Sequence, residues 1–320
     1  MIKLGTPSRL VIVALAAVFF LMAAGYPNHV RDTIIADLNG DGCIDIADVN
    51  AVINIMLGKN SQVIKTFTVN GVSFNMVEVE GGTFMMGATA EQASEALNNE
   101  KPPHQVTLST FYIGQTEVTQ ELWVAIMGYN PSWFNGTGNA SYGSTHTQDF
   151  GTNLQRPVEF VSWNECRDFV VKLCDLTGLY FSLPTEAQWE YAARGGSKSQ
   201  GYIYAGSDSI DEVAWLYTNA YYYTDSTTFT TATQTVATKA PNELGLYDMS
   251  GNVCEWCLDY LGDYDNRPQT NPTGPPPGTY RVYRGGCWMD YAKMCRVSRR
   301  FGAEPLSAGG SRGLRLTLHY

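Results

Sequence analysis

The stretch that follows residue 196 constrains the fold most, because no long helical period occurs between there and residue 320. This stretch is rich in Gly, Tyr, Asn and Pro, which favour turns and irregular chain over helices. Upstream, residues 67–87 alternate apolar and polar side chains between glycines, a pattern typical of strands. The sequence therefore predicts an α+β fold that is irregular and loop-rich.

Two upstream segments carry helix-start and helix-stop signals. Each begins with a Ser or Thr followed three residues later by Glu or Gln, which is the spacing of a capping box. Each ends at a glycine, which closes a helix well because it tolerates a positive φ. The pairs are Ser162 with Glu165 and Thr185 with Gln188, and the closing residues are Gly178 and Gly195.

The chain is acidic: 21 Lys and Arg stand against 31 Asp and Glu, for a net charge of -10. Non-specific binding to nucleic acid needs basic side chains to neutralise phosphates, and docking on anionic lipid needs them too. We therefore expect no nucleic-acid partner. Calcium, neutral glycans and proteins remain possible ligands.

The first 25 residues have the pattern of a secretory signal peptide. Lys3 and Arg9 precede the unbroken apolar run Leu10–Ala24, and small residues follow it. The run is short for a membrane span, which needs about 20 residues. An uncleaved anchor is the alternative, and in either case the remainder is exported. We expect a secreted or cell-surface protein with no membrane contact after cleavage.

Residues 37–48, DLNGDGCIDIAD, have the spacing of an EF-hand calcium loop, although a plain acidic turn is an alternative. An apolar helical stripe follows, so residues 30–60 resemble one type I dockerin repeat. Because no second repeat is found, a cohesin-like partner is doubtful and a calcium-clipped spacer is an equal alternative. Residues 61–66 then form a linker. The expected ligands are Asp37, Asn39, Asp41, Cys43 through its carbonyl, Asp45 and Asp48.

Seven strings carry a second resemblance: MVEVEGGTFMMG, TEVTQELW, RPVEFVSWNE, LPTEAQWEYAARGG, NELGLYDMSGNVCEW, YRVYRGGCW and GLRL. In this order they resemble the sulfatase-modifying-factor family, that is, formylglycine-generating-enzyme-like domains. The resemblance implies a domain over residues 67–320 with a C-type-lectin-like fold. It also implies a structural calcium ion near DMSGNVCEW. Its ligands would be the carboxylates of Asp248 and Glu255 and the carbonyls of Gly251 and Val253.

The enzymes of this family oxidise a cysteine of a client sulfatase to formylglycine with copper(I) held by two thiolates. Counted from Gly285, the two matching positions here are Asp290 and Cys295. A carboxylate is a hard ligand that binds copper(I) poorly, so copper is not expected and catalysis is doubtful. If the chain were an oxidase, a rearranged pair of Cys287 and Cys295 would be its candidate site. Cys254 and Cys257 form a CxxC, which we interpret as buried thiols or a local disulfide.

The C-terminal residues indicate a binding surface, because aromatic side chains alternate with Arg, Ser and Gly. Their arrangement resembles the variable proteins of diversity-generating retroelements. We therefore predict a calcium-stabilised, non-catalytic protein that binds a protein or glycan ligand. A sulfatase-modifying oxidase, a surface component attached through the dockerin-like repeat and an inert paralogue are the alternatives. The expected ligand-binding residues are Trp288, Met289, Asp290, Tyr291, Met294, Arg299 and Phe301.

Overall fold

The computed structural model describes residues 62–92, 94–136, 152–223 and 229–318. The chain divides into two compact units, Met1–Ile64 and Lys65–Tyr320. The predicted signal peptide and the predicted dockerin-like calcium loop lie outside the described residues. Within the described ranges, no helix is both long and apolar enough to cross a membrane.

The α-helices of the described residues are α1 (Gln120–Met127), α2 (Trp163–Thr177), α3 (Glu186–Ala193) and the four-residue α4 (Ile210–Val213). Of these, α2 and α3 begin and end where the predicted capping signals lie. The Ser162 and Thr185 hydroxyls cap α2 and α3, each within a complete capping box. Gly178 and Gly195 follow them with φ of 70° and 88°. Past residue 200, the described part of the chain contains only α4 as an α-helix, as the sequence predicts.

The strands of the described residues form four sheets. The largest has the order β1 (Ile64–Val69), β2 (Val72–Val79), β5 (Phe111–Gly114), β14 (Thr317–Leu318) and β6 (Phe181–Ser182). A second has the order β10 (Gln269–Thr270), β4 (His104–Leu108) and β3 (Gly82–Met86). A third has the order β12 (Phe301–Ala303), β11 (Arg281–Arg284), β9 (Cys254–Tyr260) and β13 (Arg312–Gly313). β7 (Tyr221–Tyr223) and β8 (Phe229–Thr231) form a hairpin.

Strand β1 begins at Ile64, three residues before the domain boundary expected at residue 67. The pairing explains this difference, because side chains on both strands bond across the β1–β2 hairpin. The Thr66 hydroxyl donates to Asn75 over 2.8 Å, and the Thr68 and Ser73 hydroxyls lie 2.8 Å apart. Residues 64–66 therefore belong to the sheet rather than to a linker.

The two faces of β2 and β5 pack into two apolar cores. Met76 and Tyr112 belong to the core that also contains α1 and α2, whereas Val77 and Ile113 belong to the core that contains α3. This alternation follows from the two-residue period of a strand. The largest sheet is therefore covered on both faces, and the fold mixes helices and sheets around it.

Buried ion pairs hold the C-terminal loops where regular hydrogen-bond ladders are short. Glu186 of α3 bonds Arg300 at 2.6 and 2.7 Å, and Glu190 pairs with Arg284. Arg296 bonds the fully buried Glu100 at 2.8 and 2.9 Å. Each of these arginines also donates to backbone carbonyls of neighbouring loops. Guanidinium groups thus satisfy carbonyl oxygens that no strand reaches.

Candidate functional site

A tight double-glycine turn begins the candidate surface. Strand β11 ends at Arg284, and Gly285 and Gly286 follow with φ of 97° and 72°. A Cβ added to Gly286 would lie 2.6 Å from the Cys295 Sγ, so only glycine fits there. The chain then turns through residues 287–300 and returns as β12, antiparallel to β11. Six of the seven predicted ligand-binding residues lie in this excursion, and the seventh, Phe301, is the first residue of β12.

Two exposed side chains of this turn, Met289 and Tyr291, lie beside Tyr217 of an earlier loop. We call these three residues the aromatic patch. Tyr217, Met289 and Tyr291 are 47%, 52% and 56% exposed, respectively. The rings of Tyr217 and Tyr291 lie 5.3 Å apart, and the Tyr217 N–H donates to the Asp290 carbonyl over 2.9 Å. The backbone contact fixes the tyrosine pair, so the patch has a defined shape.

Trp288 lies half-buried beside the patch. Its Nε1 donates to the Gly310 carbonyl over 2.8 Å, and its ring meets the edge of Phe134 at 5.1 Å. Trp133 is partly exposed, and a Cβ on Gly310 would lie 3.1 Å from its ring. Trp288 therefore anchors the turn.

The last three predicted ligand-binding residues are largely covered by their neighbours. Phe301 stacks on Tyr283 with ring centroids 5.2 Å apart and an interplanar angle of 3°. The Arg299 guanidinium lies 4.7 Å from the centre of the Phe301 ring and 3.7 Å from the buried Glu100 carboxylate. Met294 is half-buried in a 3-10 turn. Among the seven predicted residues, Met289 and Tyr291 are thus the exposed ones.

Two surface aromatics, Tyr217 and Trp133, are absent from the predicted set. Both lie far from the C-terminal segment in sequence, and the fold brings them beside it. The one sequence signal that could have indicated them is composition, since both stand in aromatic-rich strings, WLYTNAYYY and NPSWFNG. Composition alone does not indicate that they join residues 288–291.

Beneath the patch, a thiol and a carboxylate of the turn meet a thiol of β9. The Cys287 N–H and Sγ lie 3.1 and 3.2 Å from the Asp290 Oδ2. One donor atom from each of Cys254, Cys287 and Asp290 falls within 4.8 Å of the other two. Burial raises the pKa of Asp290. A hydrogen bond with Cys287, together with burial, raises the pKa of the Cys254 thiol well above its usual value.

Cys295 stands next to this group but is not part of it. It is fully buried, and burial together with the nearby Asp290 and Cys287 raises the pKa of its thiol. The rearranged pair considered for an oxidase, Cys287 with Cys295, is therefore not the closest grouping: Cys287 lies with Cys254 and Asp290. Neither thiol opens to a cleft, since both side chains are buried.

Cys254 and Cys257 do not form a disulfide. They stand three residues apart on β9, so their side chains point to opposite faces. Cys257 belongs to the apolar core that contains α3. All six cysteines of the described residues are free, which agrees with the interpretation of the CxxC as buried thiols.

A second cluster surrounds the predicted calcium ligands. The Glu255 Oε1 accepts from Arg315 over 2.7 Å, and its Oε2 accepts from the Trp189 Nε1 over 2.7 Å. Glu117, which the sequence analysis did not name, accepts from the Val253 N–H over 3.2 Å. The Asp248 Oδ2 accepts from a backbone N–H over 2.7 Å. Its buried Oδ1 has no hydrogen-bond partner among the described residues.

The electrostatics of this cluster are acidic. Burial, with the charges of Asp248 and Glu255, raises the pKa of Glu117 well above its usual value. Burial raises the pKa of Asp248 to about 6. Three buried carboxylates thus face the single guanidinium of Arg315. A hard divalent cation would offset the excess negative charge, and oxygen atoms are the ligands that calcium takes.

The loop that carries Asp248 is tightly curled. Asp248, Gly251 and Asn252 have φ of 58°, 83° and 55°. A Cβ on Gly251 would meet the Trp215 carbonyl oxygen at 2.4 Å, so a side chain does not fit there. Such left-handed turns direct successive backbone groups inward. The predicted donors Asp248, Gly251, Val253 and Glu255 therefore come from one short loop and the start of β9.

Comparison with known proteins places these features in a wider group. The family "Sulfatase-modifying factor enzyme 1-like domain" matches residues 60–319. The chaperone protein LppX of Paenibacillus barcinonensis is 31% identical over 77% of this chain and 89% of its own length. The formylglycine-generating enzyme of Streptomyces coelicolor is 28% identical over 75% of this chain and 87% of its own length. The solved structure of Treponema denticola variable protein 1 is 31% identical with a TM-score of 0.68, over 81% of this chain and all of that one.

Proposed function

The chain belongs to the family of sulfatase-modifying factor enzyme 1-like domains, and we propose that it is a non-catalytic, ligand-binding member of that family. One observation carries the proposal. The resemblance requires a copper-binding thiol at position 290, and Asp290 stands there, with its carboxylate engaged by Cys287. A carboxylate is a poor ligand for copper(I), so the chemistry of the family lacks one of its two thiolates.

The aromatic patch is the proposed binding surface. Tyrosine supplies a large, rigid contact area at low entropic cost, and Met289 adds an adaptable apolar side chain. The backbone bond between Tyr217 and Asp290 and the anchoring of Trp288 support a preformed surface, which lowers the cost of binding. The likeness to a protein described as variable agrees with the resemblance of the C-terminal segment to variable proteins and supports a binding role. The ligand would be a protein or a glycan.

Calcium is the proposed structural ion of this domain. Asp248, Glu117 and Glu255 would hold it with the carbonyls of Gly251 and Val253. The unpartnered Asp248 Oδ1 and the surplus of buried carboxylates over guanidinium groups support this assignment. The ion would offset the negative charge of these carboxylates and hold the curled loop in one conformation. Export and a second calcium ion in the loop at residues 37–48 are further parts of the proposal, argued from sequence.

Array binding tests the surface. The full-length protein would be applied to glycan and protein microarrays together with Tyr291→Ala and Tyr217→Ala. Leu306→Ala is a matched control, because Leu306 is 77% exposed and lies outside the aromatic patch. We expect features bound by the natural chain to lose signal in both tyrosine variants and to keep it in the control. Binding on neither array, or binding that ignores both tyrosines, would reject the surface.

An oxidase is the second candidate function, and one observation favours it. A Cβ on Gly286 would lie 2.6 Å from the Cys295 Sγ, so this thiol lies beside the turn that brings Cys287 to Cys254. A thiol pair formed from this set would restore soft ligands for copper(I). Burial of all three thiols opposes this candidate, since a client cysteine would have to reach them.

A further inference from the structure

Two separate elements bring three metal-ligating side chains together. Cys254 is the first residue of β9, whereas Cys287 and Asp290 lie in the turn that follows β11. Their donor atoms all lie within 4.8 Å of one another, and Cys287 and Asp290 already contact at 3.2 Å. We propose that Cys254, Cys287 and Asp290 form a zinc(II) site, distinct from the calcium cluster and from the thiol pair of the oxidases.

The spacing suits a tetrahedral ion. With bonds of about 2.3 Å to sulfur and about 2.0 Å to oxygen, tetrahedral angles place neighbouring ligand atoms roughly 3.5 Å apart. The contact between the Cys287 Sγ and the Asp290 Oδ2 is close to that value. The Sγ atoms of Cys254 and Cys287 lie within 4.8 Å of each other, near enough to become two ligands of one ion after a small adjustment. Binding therefore needs loss of the thiol protons and little movement of the chain.

The donor set selects the ion. Copper(I) prefers thiolates alone, and calcium and magnesium prefer oxygen ligands in larger number. Zinc is borderline in softness and accepts sulfur and carboxylate oxygen in one site. The same aspartate that opposes copper(I) therefore favours zinc. Three protein ligands leave a fourth position for water or for the neighbouring Cys295 thiol.

The site would tie β9 to the turn that carries Met289 and Tyr291. Asp290 stands between these two exposed side chains, so an ion bound to it would fix the aromatic patch from below. This consequence rests on the proposed function, whereas the ion site itself does not. Failure to bind zinc would leave the binding surface standing, and failure on the microarrays would leave the zinc site standing.

Cobalt(II) and zinc(II) titrations test the site. The full chain would be reduced, stripped of metal and titrated with cobalt(II), whose bonds to thiolates give a charge-transfer absorption band. The predicted loop at residues 37–48 carries the Cys43 thiol, so Cys43→Ser serves as a control and should keep this band. We expect one cobalt equivalent to develop the band and zinc(II) to abolish it by displacement.

Variants decide which side chains bind. Cys254→Ser and Cys287→Ser should remove the charge-transfer band, and Asp290→Asn should weaken zinc at least about 10-fold. Asp290 is half-buried in a turn, so the asparagine variant should fold, and its melting curve without metal provides the check. Cys174→Ser, on the distant α2, is the matched control and should bind as the natural chain does. Cys295→Ser weakens binding only if that thiol supplies the fourth ligand.

Two results would overturn the site. One is the absence of a thiolate band in the reduced natural protein, or a band that survives both Cys254→Ser and Cys287→Ser. The other is a Cys254–Cys287 disulfide, found by peptide mapping of protein purified without reductant. A disulfide would show that the two sulfur atoms approach each other to bond covalently rather than to hold an ion.

Discussion

Replacing Arg315 with Met should destabilise the domain more than removing any charged side chain that is exposed on the surface. Arg315 is fully buried and donates to both oxygens of Glu255, to the Gly114 carbonyl over 2.8 Å and to the Tyr247 carbonyl over 2.7 Å. Methionine fills much of the volume but leaves the carboxylate buried without a counter-ion. Breaking one side of a buried pair costs about 3–5 kcal/mol in the free energy of unfolding.

For a domain of this size, each kcal/mol lowers the melting temperature by roughly 2–4 °C, so a loss of roughly 10 °C is expected. The measurement is thermal unfolding followed by tryptophan fluorescence, with a calcium chelator present so that no cation replaces the guanidinium. Arg267→Met is the control, because Arg267 is 81% exposed and pairs only with the surface residue Asp265. It should leave the unfolding midpoint unchanged. Equal midpoints for the two variants would refute the reasoning.

Three further outcomes follow from the same contacts. Burial raises the pKa of Glu159 to about 8, whereas a Glu in the unfolded chain has a pKa of about 4.3. Between these two pH values the folded state keeps a proton that the unfolded state has lost. The free energy of unfolding contributed by this group therefore falls as the pH rises through that window, by up to about 1.4 kcal/mol per pH unit. Between pH 5 and pH 8, the melting temperature of Glu159→Gln should rise relative to that of the natural chain. A calcium chelator should lower the melting temperature of the natural chain and change that of Asp248→Asn much less, which calorimetry with and without calcium would measure. Phe301→Ala should lower the urea midpoint because it removes a ring stacked on Tyr283, whereas Tyr291→Ala should leave it nearly unchanged; equal losses would place Tyr291 in the packed interior.

Local signals in the sequence predict the helices well. Capping at Ser162 and Thr185 depends on residues three apart, so the helix starts could be found without knowledge of the fold. The loop at Asp248–Glu255 was singled out by the family resemblance rather than by a local signal. Family resemblance also predicted the mixed helix-and-sheet architecture, which the match over residues 60–319 supports.

Contacts between residues that are far apart in the sequence could not be predicted from local signals. Glu117 joins Asp248 and Glu255 only because the loop before α1 packs against the start of β9. Cys254 meets Cys287 because β9 and β11 pair antiparallel, with Arg284 opposite Glu255. No periodicity within either segment encodes that register. The CxxC spacing drew attention to Cys257, whereas the sheet makes Cys287 the partner of Cys254.

Half-burial of the predicted ligand-binding residues has a similar origin. Trp288 and Phe301 look like surface aromatics in a Gly- and Arg-rich segment, but each has a specific ring partner elsewhere in the chain. Phe134 and Tyr283 supply those partners. Exposure was thus correctly expected for Met289 and Tyr291, where the turn points away from the core.

The absence of oxidase chemistry is the central claim, and one assay tests it most directly. The reduced, copper(I)-loaded full chain would be incubated in air with a CxPxR peptide, beside the formylglycine-generating enzyme of Streptomyces coelicolor as a positive control. Mass spectrometry would follow conversion of the peptide cysteine to the aldehyde. The account predicts no aldehyde above the protein-free blank, because Asp290 occupies the place of a required thiolate. Turnover that approaches the positive control and disappears in Cys287→Ser or Cys295→Ser would contradict it.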